Sequence, residues 1–305
     1  MKPLFLSLMS MLFLTVAGHS QADGKRIIQR YIFELSARTD STDTARTKET
    51  LYLDVAEDGS SRFAGMGQLF GDSMRRAFAS GSGRQMMTDG GRGGTENRVV
   101  MGGPARGAGG GGGRGMMGMR SVSPYIITRT GGTEITYREN AGMENYYYTE
   151  DLSNINWTML EGIHDYHGMK AQKATAEYGG RTWFALFSFD IPLMDGPYKF
   201  KTLPGFVVKA WDSNEHYVFS FIESQKVETD YSLELPGNAQ KATKSQLAKA
   251  IYNFRSRPIA TNFPQGANVR IQMRDQDGRE ITMEDIEKRR RDQLKKENNP
   301  IEFIK

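Results

Sequence analysis

The chain has 305 residues, a formal net charge of +4 and no cysteine. The missing cysteine excludes disulfides, thiolate metal sites and a lipid anchor on an N-terminal cysteine. A charge of +4 over that length calls for no nucleic-acid partner, and the 16 phenylalanines and 13 tyrosines suit a sheet-rich core.

The chain opens with Lys2, an apolar run from Leu4 to Ala17, and Ser20-Gln21-Ala22 ahead of Asp23. A positive start, an apolar stretch and a small-x-small site are the pattern of a secretory signal peptide. The run falls short of the roughly 20 residues that a membrane-crossing helix needs. Residues 1–22 are therefore expected to be a signal peptide. The mature chain is expected to start near Asp23 and to be exported, soluble, and periplasmic or associated with the cell surface.

Residues 23–80 read as the first strands of a β domain. In "KRIIQRYIFELS", Ile27, Tyr31, Phe33 and Leu35 share one face at period two. In "ETLYLDVAEDGSSRF", Leu51, Leu53 and Val55 alternate with Tyr52, Asp54 and Ala56, and Asp58-Gly59 marks a turn. Residues 81–120 differ: sixteen of the 34 glycines lie there, with six methionines and several arginines. So little apolar area cannot offset the backbone entropy of glycine, and the segment reads as a disordered insertion. Residues 121–240 return to strands. "SPYIITRT-GG-TEITYREN" and "KAQKATAEY-GG-RTWFALFSF" are hairpins through Gly131-Gly132 and Gly179-Gly180, and "GFVVKAW-DSNEH-YVFSFIES" is a third with a longer polar turn. Helical spacing is read only in 241–305. There Leu247, Ile251 and Phe254 follow the N-cap candidate Thr243, and Thr282 with Asp285 opens a second helix. The expected fold is mainly β: an antiparallel meander, curved or open and barrel-like, with one or two C-terminal helices and the disordered insertion.

The segment from Ile155 to Phe221 carries "INWTML", "MKAQKATAEYGGRTWFALFSFDIPLMDGPYKF" and "TLPGFVV", and the chain ends near "NNPIEF". In the order and spacing of KAT, GRxW, DIP, GPYKF and LPG it resembles the GLPGLI family of Bacteroidota exported proteins. Thr202 stands where the family's first glycine would be, and Phe206 and Val207 replace Leu and Ile. The resemblance implies no catalytic residue and a loose association with TonB-dependent outer-membrane receptors.

Read from its residues, the motif Leu203, Pro204, Gly205, Phe206 is a structural bend between two strands. Pro204 fixes φ, and Gly205 is expected to supply the positive φ of a type II turn. The alternative is that Gly205 lets a partner's backbone approach closely. Trp183, Phe187, Phe189, Tyr198, Phe200 and Phe206 are expected to fill the packed face around it. No HExxH, GxSxG or P-loop is present, so no enzyme is expected. The reading is a non-enzymatic envelope protein that binds or scaffolds, with an outer-membrane receptor or other envelope protein as partner and no cofactor. The alternative is a periplasmic copper protein. Soft thioethers of Met116, Met117 and Met119, with His164 or His167, suit Cu(I).

Overall fold

A computed structural model describes residues 25–79, 121–257, 273–274 and 280–303. The signal segment 1–22, the cleavage position before Asp23, and the insertion 81–120 with Met116, Met117 and Met119 lie outside the described residues.

The strands are β1 (Lys25–Ala37), β2 (Thr47–Val55), β3 (Ser61–Gly65), β4 (Tyr125–Arg129), β5 (Glu134–Ala141), β6 (Glu144–Asp151), β7 (Thr158–Tyr166), β8 (Met169–Tyr178), β9 (Arg181–Ser188), β10 (Phe206–Asp212), β11 (Tyr217–Asp230) and the short β12 (Gln240–Lys241). All belong to one open sheet, ordered β12-β6-β5-β4-β3-β2-β1-β11-β10-β9-β8-β7. The chain starts in the middle at β1 and steps outward to β6. It then crosses to the far edge and steps back through β7–β10, until β11 pairs antiparallel with β1. Every pair in this sheet is antiparallel except β12 on β6. The mainly β, open-sheet expectation holds.

The local signals act as read. Gly131 and Gly132, and Gly179 and Gly180, all take positive φ in their turns, as tight hairpin turns demand. Leu51, Leu53 and Val55 point into the core. The C-terminal helices α2 (Lys244–Ser256) and α3 (Met283–Lys296) both begin with full capping boxes, Thr243 with Gln246 and Thr282 with Asp285.

Two readings are corrected. A helix, α1 (Met66–Ala79), stands between β3 and β4, so helical structure is not confined to the C-terminal part. It lies on the convex face, where Leu69 packs with Ala64, Ile126 and Tyr52. Ile27 shares the period of Phe33 and Leu35 but is 67% exposed, because the strand runs past the end of the core, where Ile28 is buried on the opposite side.

The sheet curls strongly. Phe63 on β3 and Phe219 on β11 are three strand positions apart, yet their ring centroids lie 6.4 Å apart. Three flat strand spacings would give about 14 Å. Tyr178 on β8 donates to Glu150 Oε1 on β6 at 2.8 Å, across nine strand positions, a separation of about 40 Å in a flat sheet. The concave side is thus almost enclosed, and aromatic rings from β1, β3, β9, β10 and β11 fill it.

Candidate functional site

The connection from β9 to β10, residues 189–205, is not an external loop. Asp195 to Phe200 and Leu203 are buried inside the curl, whereas Pro204 is exposed. Gly196 passes so close to the Phe200 carbonyl that an added Cβ would lie 2.4 Å from it. Tyr198 carries a left-handed φ of 53°, uncommon for a side chain of its size, and turns the chain so that Tyr198, Lys199 and Phe200 all point into protein. Trp183 and Phe219 pack on the Phe200 ring. The close packing at Gly196 and the left-handed turn at Tyr198 therefore shape an internal plug.

Gly205 is the third correction. Its φ is not in the left-handed region, so it is not the positive-φ residue of a type II turn. An added Cβ would lie 2.7 Å from the Ser188 carbonyl oxygen. The close approach is real, but the backbone that approaches is the chain's own β9. Leu203 and Phe206 are buried in the core. Phe189, expected inside, is 62% exposed and touches only the edge of Phe187 among aromatic rings. The hydroxyl of Thr202 accepts from Trp157 Nε1 at 3.1 Å.

Two ionic clusters hold the plug. Arg129 of β4, wholly buried, places Nη1 3.1 Å from Asp195 Oδ1 and donates to the Tyr198 carbonyl. Ser61 of β3 donates to Asp195 Oδ2 at 2.7 Å. Lys199, also wholly buried, donates to Glu150 Oε2 at 2.9 Å, to the hydroxyls of Tyr148 and Tyr178 at 3.0 Å each, and to Glu302. Lys244 at the start of α2 joins both carboxylates. Burial pushes the Lys199 ammonium down against the pull of Glu302 and Glu150. Burial also pushes Glu302 up, but Lys199 and Lys244 more than offset it and hold the carboxyl below its ordinary range.

The tail places Glu302 there. Phe303 N–H donates to the Gly179 carbonyl at 2.8 Å, and Arg181 donates to Asn299 Oδ1 at 2.6 Å while also bonding Asp212 at 2.9 Å. Glu302 sits over Gly179 and Phe303 over Gly180, so the β8–β9 turn is a seat for the tail.

At the mouth of the curl beside the tail is a cavity of about 280 Å³ lined by Tyr125, Tyr137, Glu139, Tyr217, Arg255 and Asn299, among others. Tyr137 donates to Glu139 Oε2 at 2.8 Å and Tyr217 to the Asn299 carbonyl at 2.7 Å. The hydroxyl of Tyr125 is buried there beside that of Ser123, without a well-formed hydrogen bond among the described residues. Burial pushes Glu139 above the usual carboxylate range; the Tyr137 hydrogen bond and Arg255 work against that shift without cancelling it.

His164 is exposed near the end of β7, paired in register with Ala171. His167, at φ 51°, makes the following turn and rests against the Tyr166 ring. Both sit on the hairpin at the sheet's edge, and neither lines the cavity. Sequence reasoning did not single out Lys199, Glu150, Glu302 or Glu139. A signal was present for two of them: Lys199 lies between aromatics inside GPYKF, and Glu302 lies in NNPIEF, both segments that carried the resemblance.

The fold and site define a class: an open, curled β-sheet filled by its own plug and latched by its own tail. No family model and no curated protein matches the chain. Among solved structures, it is similar to PNGF-II in two crystal forms, at 10% identity, with TM-scores of 0.45 and 0.44 and 75% of this chain covered. The chain spans 34% of the length of the PNGF-II chain in each case.

Proposed function

We propose that this is an exported, non-catalytic cell-envelope protein of the GLPGLI type, serving as a binding or scaffolding module beside an envelope partner such as a TonB-dependent outer-membrane receptor. The observation that supports it most is the plug. The concave side of a curled sheet is the usual place for a substrate cleft, and here Asp195 to Phe200 fill it. Binding is left to the mouth cavity and the outer surface. Rigidity favours such a role, since buried ion pairs at Arg129 and Lys199 join plug and sheet, with Glu302 of the tail in the second cluster.

The leader sequence and the absence of cysteine support export without a lipid anchor. Among the described residues, no helix is long and apolar enough to cross a membrane. The test is crosslinking in intact cells followed by fractionation and capture of the chain. Recovery of the mature form from the envelope with a receptor or other envelope protein supports the reading. Recovery of uncleaved, cytosolic chain overturns it. Metal analysis of the same preparation decides the copper alternative: stoichiometric copper would replace the scaffold reading.

A further inference from the structure

Among the described residues, arginine pairs with each buried aspartate, lysine pairs with Glu150 and Glu302, and Glu139 is the exception. Asp54 is paired with Arg30 and Arg62, Asp72 with Arg138, Asp195 with Arg129, and Asp212 with Arg181. Glu139 is 8% exposed, and no lysine, arginine or histidine nitrogen of the described residues comes within 4 Å of it. Its hydrogen bond comes from a neutral tyrosine, Tyr137. Buried charge is expected to be paired, so this carboxylate lacks a cation that its four counterparts have.

Glu139 lines the mouth cavity, and the second unmatched group lies there too. Tyr125 is 2% exposed, and its hydroxyl, beside that of Ser123, makes no well-formed hydrogen bond among the described residues. Tyr217 Oη donates to the Asn299 carbonyl, which leaves its lone pairs available. Arg255, the cation on the rim, is engaged by Glu297 at 2.9 Å. The cavity thus offers a carboxylate and two hydroxyl acceptors. At about 280 Å³ it falls near the lower end of small-molecule sites, roughly 300 Å³, which suits a molecule of amino-acid size rather than a peptide.

We propose that the mouth cavity binds a small primary amine as its ammonium, which pairs with the Glu139 carboxylate and donates to the hydroxyl oxygens of Tyr125 and Tyr217. The tyrosine edges close around the carbon next to the charge. This site deepens the binding-module reading given above and rests on it only in needing a non-catalytic site.

The test is titration calorimetry of the purified mature chain with butylammonium chloride, n-butanol and sodium acetate. Butylammonium is expected to bind at least about tenfold more tightly than n-butanol, a difference of ~1.4 kcal/mol, and acetate is expected not to bind. Glu139→Gln should erase the preference, and Tyr125→Phe should weaken butylammonium a few-fold, with thermal midpoints checked for both. Should Glu139→Gln not fold, Tyr125→Phe and the wild-type preference decide. Equal binding of amine and alcohol, preferential binding of acetate, a preference that survives Glu139→Gln, or no heat up to about 10 mM amine overturns the proposal. Amine binding without any crosslinked partner would overturn the scaffold reading alone. A crosslinked partner without amine binding would overturn this site alone.

Discussion

Gly205 lies so close to Ser188 that a Cβ on it would sit 2.7 Å from the Ser188 carbonyl oxygen and 3.1 Å from the Phe187 side chain. The obstacle is backbone in the middle of a sheet, which cannot swing aside. Gly205→Ala should therefore push β10 away from β9 at the first pair, Phe206 with Ser188. We expect a loss of about 1–3 kcal/mol, the usual cost of overpacking, measured as a lower urea midpoint at unchanged slope. Wild-type stability would mean that the contact relaxes without cost.

Asp195 is the anion that keeps Arg129 tolerable inside the sheet. Asp195→Ala leaves the guanidinium buried with no countercharge and should cost about 3–5 kcal/mol. The double variant Arg129→Met with Asp195→Ala removes the stranded charge along with its partner. Thermal unfolding followed by circular dichroism should place the double variant above the single. The opposite order would show that Arg129 keeps its stability through the Tyr198 carbonyl alone.

The Lys199 cluster predicts an acid-sensitive latch. Glu302 is held below its ordinary value of 4.5 in the folded protein, since the attraction of Lys199 and Lys244 exceeds the opposing effect of burial. A carboxyl depressed in this way contributes stability that is fully present above its unfolded pKa and lost as pH falls through the folded one. Urea midpoints should drop as pH falls below about 4.5, and Glu302→Gln should flatten that part of the profile while lowering stability at neutral pH. An unchanged acid limb in Glu302→Gln would assign the acid sensitivity elsewhere.

Helix α1 is tied to the convex face through Asp72, which accepts from Arg138 Nη2 at 2.6 Å and pairs with Arg76. Among its described side chains, Leu69 is the buried apolar one facing the sheet. Asp72→Ala should raise amide hydrogen exchange across Met66–Ala79 and leave the β1–β11 ladder protected, because the helix is outside the aromatic core. Uniform deprotection of helix and sheet together would make α1 part of one cooperative unit.

What the sequence determined by itself was local. Glycine pairs set the hairpins at residues 131–132 and 179–180, Thr243 and Thr282 set helix starts, and the alternation of Leu51, Leu53 and Val55 set the buried face. Each depends on the φ preference or hydrogen-bonding reach of residues a few positions apart. Helix α1 escaped that reading because Gly67 and Gly71 dilute its helical pattern, and its hold on the sheet is largely ionic. The tertiary structure decided the rest. The curl brings Tyr178 to Glu150, the plug carries Lys199 to both, and the tail supplies Glu302 from more than a hundred residues away. Gly205 needs its missing side chain because of Ser188, a neighbour on another strand, and not because of its own φ. Glu139 stands out only after the buried aspartates of the described residues have been matched with their arginines. Pairing, close approach and enclosure are properties of distance in space, and a curled sheet sets those distances independently of separation along the chain.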